Sequence, residues 1–457
     1  MSDKNELAEE GKGGKLLFTN RYLLRLLWPL FVEQLLVYAV GLADSVMVAS
    51  VGEEAVSAVS LVDSVMVLVI TIFIALSTGG AVVVGQYLGQ QKAKEANRAA
   101  DQLILFVVLF SFLVIAVMYV FRTGLMHLIF GEIEDEVMDN CNTYYMIVVA
   151  SIPFIAISNA GSALFRSVGN SNISMRASIV MNVVNIGGNA LLLYGFGMGI
   201  AGVAIPTLAC RIVAAGIMLF LLKNQERKVH LSRKFVLIPD WSLIKKILRI
   251  GIPNGIENSM FQLGKLILLS MISGFGTASI TANAVANTAS LIAVLPGMAM
   301  GYGVVSVISI CVGAGDYQQV RFYARKLIKW VYGIMIITNI AMILAIPLIL
   351  DMYGLSQETA DIAGQLIFVN CAPAVFIWPL SFTVPNVLRA AGDVMYTMVV
   401  GVASMWIFRI FFGVFLGEFI GIGVLGVWIA MVVDWAVRSV CFCLRYRGSR
   451  WKREAVV

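Results

Sequence analysis

The sequence predicts an all-α membrane protein of twelve transmembrane helices, arranged as two homologous six-helix halves. Three observations predict it. Of 457 residues, 60% are hydrophobic and only 13% charged, whereas soluble domains carry about a quarter charged residues, and the mean hydropathy is +0.88. Twelve apolar stretches each approach the ~20 residues needed to cross a bilayer as a helix. The chain also resembles itself when displaced by 224 residues.

The spans start near Leu23, Ser57, Leu103, Thr143, Ile173, Gly199, Gly251, Thr281, Leu327, Gln365, Met395 and Ile422. Residues Met1 to Asn20 are polar and mixed in charge and show no cleavable secretory signal, which predicts a cytoplasmic N-terminus. Loops after even-numbered spans are basic: Lys92, Lys94 and Arg98, then Arg166 and Arg176, Lys223 through Arg249, Arg321, Arg325 and Lys326, Arg389, and Arg445 to Arg453. Loops after odd-numbered spans are acidic, with Glu53 and Glu54, Glu132 to Asp139, Asp351, Glu358 and Asp361, and Glu418; Arg122 is the exception. The excess of Lys and Arg on one side predicts that both termini and the central loop face the cytoplasm of a bacterial-type inner membrane. The expected organisation is an N-terminal tail (1–22), an N-lobe (23–222), a basic linker (223–249), a C-lobe (250–444) and a C-terminal tail (445–457).

The displacement superimposes chemically distinctive residues, not merely apolar ones. Pro29 falls on Pro253, Glu33 on Glu257, Gly52 on Gly276, Ala58 on Ala282, Gly79 on Gly303 and Gly89 on Gly313. One residue less matches Arg166 to Gly169 with Arg389 to Gly392, and the original shift returns for Gly202 and Gly426. Six spans per half leave both halves the same way up, related by an axis along the membrane normal, as in alternating-access transporters.

Other classes have little to draw on. The net charge of +6 is spread over short loops instead of forming the single patch of a nucleic-acid binder. Six cysteines, most of them within or beside apolar runs, show no metal-ligand spacing beyond the Cys441-Phe442-Cys443 pair, and the two histidines, His127 and His230, fall in loops. No metal site, cofactor or enzymatic constellation is expected.

Polar groups inside spans are costly and therefore informative. Asp44 lies two-thirds along span 1, either receiving an ion or capping the helix end near Gly52. Glu33 precedes it by eleven residues, about 20° off the same face, and either shares a cation path or satisfies the backbone broken by Pro29 or a basic loop. Asn182, Asn185 and Asn189 form a polar stripe on span 5, as part of a site or as helix–helix glue. In the second half, Glu257 and Lys265 lie on span 7, Arg409 on span 11, and Asp434 and Arg438 on span 12, where their four-residue spacing predicts a local ion pair that Arg409 can join. Under the repeat Lys265 maps to Gly41, one turn from Asp44, so a contact across the two halves is conceivable. Trp378, Phe382 and Asn386 share one face of span 10 near Pro379 and Pro385, and are expected to line a substrate surface together with Glu257, Gln262 and Lys265.

Trp28-Pro29, Glu33-Gln34, Leu42-Ala43-Asp44-Ser45, Gly79-Gly80, Gly85 to Gly89, Asn185-Ile186-Gly187-Gly188-Asn189, Gly199 to Thr207 and Gly251-Ile252-Pro253 with Glu257-Asn258 resemble, in this order and spacing, the multidrug and toxic compound extrusion (MATE) family. The resemblance covers nearly the whole chain. It implies two six-helix lobes around a V-shaped cleft and export of cationic or amphiphilic small molecules against protons or sodium. It further implies an N-lobe cation site at Asp44, Asn185, Asn189 and Thr207. One branch has a carboxylate where this chain has Asn189, and another has its span-7 carboxylate where this chain has Gln262; with no acid in span 10, no C-lobe sodium site is expected. The resulting expectation is a proton-coupled antiporter, with sodium as the alternative ion, acting on an amphiphilic substrate among membrane lipids without an obligate protein partner. A lipid-linked oligosaccharide flippase of the same superfamily would need several cations for a pyrophosphate, Lys265 and Arg409 being the available ones. An integral-membrane enzyme or receptor would need a catalytic cluster or sensory domain, and the sequence offers neither.

Overall fold

A computed structural model describes residues 10–11, 14–122, 124, 135–233, 238–453 and 455–457. The expectations for His127, Glu132, Glu134 and Lys234 fall outside the described residues. Apart from a two-residue antiparallel pairing of Glu10–Gly11 with Gly14–Lys15, regular structure among the described residues is helical.

The chain divides into two compact units, one formed by Asn20–Gly255 and the other by Met1–Thr19 with Ile256–Val457. In the first, α1 (Asn20–Ala49), α2 (Glu53–Gly89), α3 (Ala93–Val120), α4 (Asp135–Val149), α5 (Ile152–Ser167), α6 (Ser171–Ala190) and α7 (Ala201–Leu222) are followed by the start of α8 (Trp241–Ser273). α1 packs chiefly on α6, and α2 on α5. In the second, the rest of α8 is joined by α9 (Thr277–Gly313), α10 (Tyr317–Leu344), the short α11 (Ile346–Tyr353), α12 (Gln357–Ala390), α13 (Val394–Phe419) and α14 (Val424–Arg447).

Ten described helices are long and apolar enough to cross a membrane, and α4 with α5 makes an eleventh, bent by 46°. The bend has a local cause: Pro153, at the start of α5, has no backbone N–H to continue the ladder from α4. The remaining expected span, the seventh, lies in α8. That helix falls outside the apolar set because Glu257, Asn258, Gln262 and Lys265 dilute its hydrophobic face. Further irregularities occur in α12 and α13, where π-helical turns run over Pro379–Thr383, Met405–Phe411 and Phe415–Phe419.

Glycines let helices approach where a side chain would not fit. A Cβ at Gly79 would stand 2.6 Å from the carbonyl oxygen of Ile247, and one at Gly251 would stand 3.0 Å from Leu76, so α2 and the first half of α8 touch through backbone. In the second unit, Leu268, Ile272, Val285, Leu366, Ile367, Val427 and Trp428 belong to one buried cluster shared by α8, α9, α12 and α14. Residues at both ends of the chain dock on α10 of that unit. The Tyr323 hydroxyl donates to the Phe18 carbonyl at 2.8 Å, and the fully buried Trp451 meets Tyr317 edge-on.

Candidate functional site

The first unit gathers four of the expected residues. Asn189 Nδ2 on α6 donates to Asp44 Oδ1 on α1 at 2.6 Å and lies 3.5 Å from Asn185 Oδ1. Asn185 Nδ2 donates to Thr207 Oγ1 on α7 at 3.3 Å, and the Thr207 hydroxyl donates to the Val203 carbonyl at 3.0 Å. The spacing of the asparagines places them on one helix face, and close packing of α1 on α6 aims that face at Asp44. Asn185, Asn189 and Thr207 are buried, while Asp44 is half-buried. Asn189 Oδ1 is buried without a hydrogen-bond partner. A chain of hydrogen bonds thus runs from Asp44 through Asn189 and Asn185 to Thr207, with a single carboxylate at its end. Asn182, the third member of the stripe, instead donates to the Leu36 carbonyl at 2.8 Å and ties α6 to α1.

Two charges that the sequence reading missed flank this cluster. Asp63 on α2 accepts from the Tyr144 hydroxyl at 3.3 Å, and Arg211 on α7 donates to Ser151 Oγ at 2.7 Å. Arg211 acts electrostatically on both Asp44 and Asp63, and Asp63 acts on Asp44. The signal was available: each is an ionisable residue inside an apolar span.

Glu33 does not join Asp44. It accepts from Arg166 Nη1 at 3.2 Å, both side chains being largely buried, so α1 is pinned to the end of α5. The second unit repeats this pair, with Glu257 Oε2 2.7 Å from Arg389 Nη2. Glu33 corresponds to Glu257 and Arg166 to Arg389 under the internal repeat, so both partners of the ion pair were duplicated together.

The remaining charges of the second unit pair differently from the expectation. Asp434 meets Arg409 Nε at 3.1 Å and accepts from the Ser404 hydroxyl, whereas Arg438 turns to Glu257 Oε1 at 3.5 Å. The expected local Asp434–Arg438 pair is therefore replaced by two contacts between helices, α13 with the neighbouring α14 and α14 with the distant α8. Helix packing places Arg409 and Glu257 within reach, and buried charges take the partner with the better geometry. Trp378 is buried and stacks on Phe382 at 4.9 Å, Arg438 lies 4.8 Å over the Phe382 ring, and Asn386 Oδ1 accepts from Arg389 at 2.9 Å. Trp378, Phe382, Asn386 and Glu257 thus form one aromatic and charged tract. Lys265, exposed on α8, lies 5.0 Å over Phe261, and Gln262 beside it is half-buried.

The MatE family model matches residues 29–191 and, a second time, residues 253–415, two segments offset by the same 224 residues as the internal repeat. The chain belongs to the MatE family. It is a transporter, not an enzyme. Among its relatives, YisQ of Bacillus subtilis, an uncharacterised transporter, is 28% identical over 95% of each chain. A probable multidrug resistance protein, NorM of Thermotoga maritima, is 24% identical over 95% of this chain and 94% of its own. Among solved structures, a MATE transporter in complex with MaL6 superposes with a TM-score of 0.88 at 20% identity, covering 95% of this chain and 97% of the other. The fold expected from the sequence, two homologous helical lobes of a membrane transporter, is the fold observed.

Proposed function

We propose that this chain is a secondary antiporter that exports amphiphilic small molecules across a bacterial inner membrane by alternating access, with Asp44 as the coupling carboxylate and the proton as the coupling ion. One observation carries the reading. Among the described residues, Glu33, Glu257 and Asp434 in the spans each have an arginine within 4 Å, but Asp44 is held by the neutral amide of Asn189; Asp63, likewise held by a neutral group, the Tyr144 hydroxyl, lies outside the asparagine cluster. A carboxylate paired with arginine already has a fixed counter-charge, whereas one held by a neutral amide leaves that place open to a proton or a cation. Coupling requires that the ion bind the two lobe states unequally, and a site assembled from three helices is sensitive to their rearrangement. The relatives named as probable multidrug resistance proteins support export as the direction and drug-like small molecules as the cargo.

A second reading, sodium, is favoured by Asn189 Oδ1, a buried carbonyl oxygen without a hydrogen-bond partner beside Asp44. Together with Asn185 and Thr207 it offers oxygen ligands to a hard cation. The experiment that tests both uses proteoliposomes loaded with ethidium, under an imposed pH gradient with sodium absent or a sodium gradient with pH clamped. Efflux on the pH gradient is expected; efflux on sodium alone overturns the proton reading. Asp44→Asn preserves shape and hydrogen bonding, so it is expected to bind substrate and to lose gradient-driven efflux. Wild-type efflux by this variant removes Asp44 from the mechanism.

A further inference from the structure

The charged groups in the interior of the second unit do not balance. Arg389, Glu257, Arg438, Arg409 and Asp434 form a connected network in which three arginines share two carboxylates. Lys265, exposed beside this network, adds a fourth cation. Its electrostatic neighbour is Arg409, a like charge, and no carboxylate lies within 4 Å of it among the described residues. Both cations address the same ring: Lys265 Nζ and the Arg409 guanidinium each lie 5.0 Å from the centroid of Phe261. Lys265 sits within a spanning helix, two turns before its end at Ser273, where an uncompensated ammonium is costly unless water, a partner or a ligand receives it.

The two cations are not equivalent. Arg409 is 3% exposed and faces Asp434 through Nε at 3.1 Å, so it contributes chiefly its field. Lys265 is exposed, and its ammonium carries three donors of which cation–π contact uses none. A compact single anion fits this arrangement better than a phosphate dianion, which is matched by open arginine forks. Phe261, half-buried, offers its ring to an apolar body attached to that anion.

We propose that Lys265, Phe261 and Arg409 form a binding site in the C-terminal unit for the carboxylate of an aromatic or apolar amphiphile. The proposal rests on the transport reading above and names a substrate class for it: molecules bearing a carboxylate, in addition to any cationic group they carry. Lys265 makes the charge-assisted hydrogen bond, Arg409 deepens the positive potential, and Phe261 stacks on the apolar portion.

Calorimetric titration of the full chain in detergent micelles with 2-naphthoate and with 2-naphthamide, which differ in the charge of the headgroup, tests it. The wild type is expected to bind the carboxylate at least ~10-fold more tightly than the amide, the size of one charge-assisted hydrogen bond. Lys265→Gln is expected to abolish that difference, and Lys265→Arg, which restores the charge, to retain it. Equal affinities in the wild type overturn the site, as does a preference for the carboxylate that survives in Lys265→Gln. Ethidium efflux from proteoliposomes, measured in parallel on the wild type, separates the two readings. Loss of all gradient-driven efflux alongside intact carboxylate preference defeats the antiporter and leaves the anion site standing, while the reverse pattern defeats the site alone.

Discussion

Glu33→Gln tests whether the duplicated Glu–Arg pair is structural. In the first unit the carboxylate lies 3.2 Å from Arg166, with side-chain exposures of 9% and 13%. Glutamine keeps the shape and one acceptor but leaves a largely buried guanidinium without its counter-charge. Breaking a buried pair costs about 3–5 kcal/mol, and the residual exposure of Arg166 puts Glu33→Gln near the lower end. Glu257→Gln strands two guanidiniums, Arg389 at 2.7 Å and Arg438 at 3.5 Å, and is expected near the upper end. The double variant Glu33→Leu with Arg166→Met removes both charges and replaces them by apolar groups, so it is expected within about 1 kcal/mol of the wild type. With Glu33→Leu and Arg166→Met each costing about 3 kcal/mol alone and the double variant close to zero, the coupling energy of the cycle has a magnitude of about 6 kcal/mol. Unfolding of the purified protein in mixed detergent micelles, followed by tryptophan fluorescence, measures all four. Wild-type stability of Glu33→Gln, to within about 0.5 kcal/mol, refutes the structural assignment, as does a double variant whose loss equals the sum of the singles. In that event an efflux defect in Glu33→Gln would return the residue to the ion path.

Two further outcomes are expected. Single cysteines replacing Lys94 and Lys326 are expected to resist an impermeant thiol reagent in intact cells and one replacing Glu358 to react; the reverse pattern overturns the orientation read from loop charge. Gly79→Val drives a Cβ to 2.6 Å from a backbone oxygen of α8 that cannot rotate away, and is expected to destabilise by about 1–3 kcal/mol in the same unfolding assay, whereas Gly41→Ala, with no atom within 4 Å, is expected to be neutral.

Much of this molecule was legible because a bilayer imposes rules that act on local sequence. Each span must be long and apolar and must satisfy its own backbone, so hydropathy alone located the helices. The repeat was legible because the residues it aligned, Pro29 with Pro253, Glu33 with Glu257 and Arg166 with Arg389, are rare in lipid-facing helices. α8 marks the edge of this legibility: its four polar residues weaken the apolar signal that the other spans carry. Asp63 and Arg211 were visible as charges in apolar runs, but their proximity to Asp44 was not, because three helices separated in sequence bring them together.

The sequence by itself determined the helical class, the two halves, and the asparagine face of α6, since helix periodicity and the cost of polar groups in lipid follow from neighbours a few residues apart. Only the tertiary structure decided which charge meets which. Glu33 and Arg166 are 133 residues apart, and Arg438 reaches Glu257 across 181 residues in preference to Asp434 one turn away. In a low-dielectric interior an ion pair is worth its cost only when distance and hydrogen bonding are both favourable. That choice is made by the packing of whole helices, which no local spacing encodes.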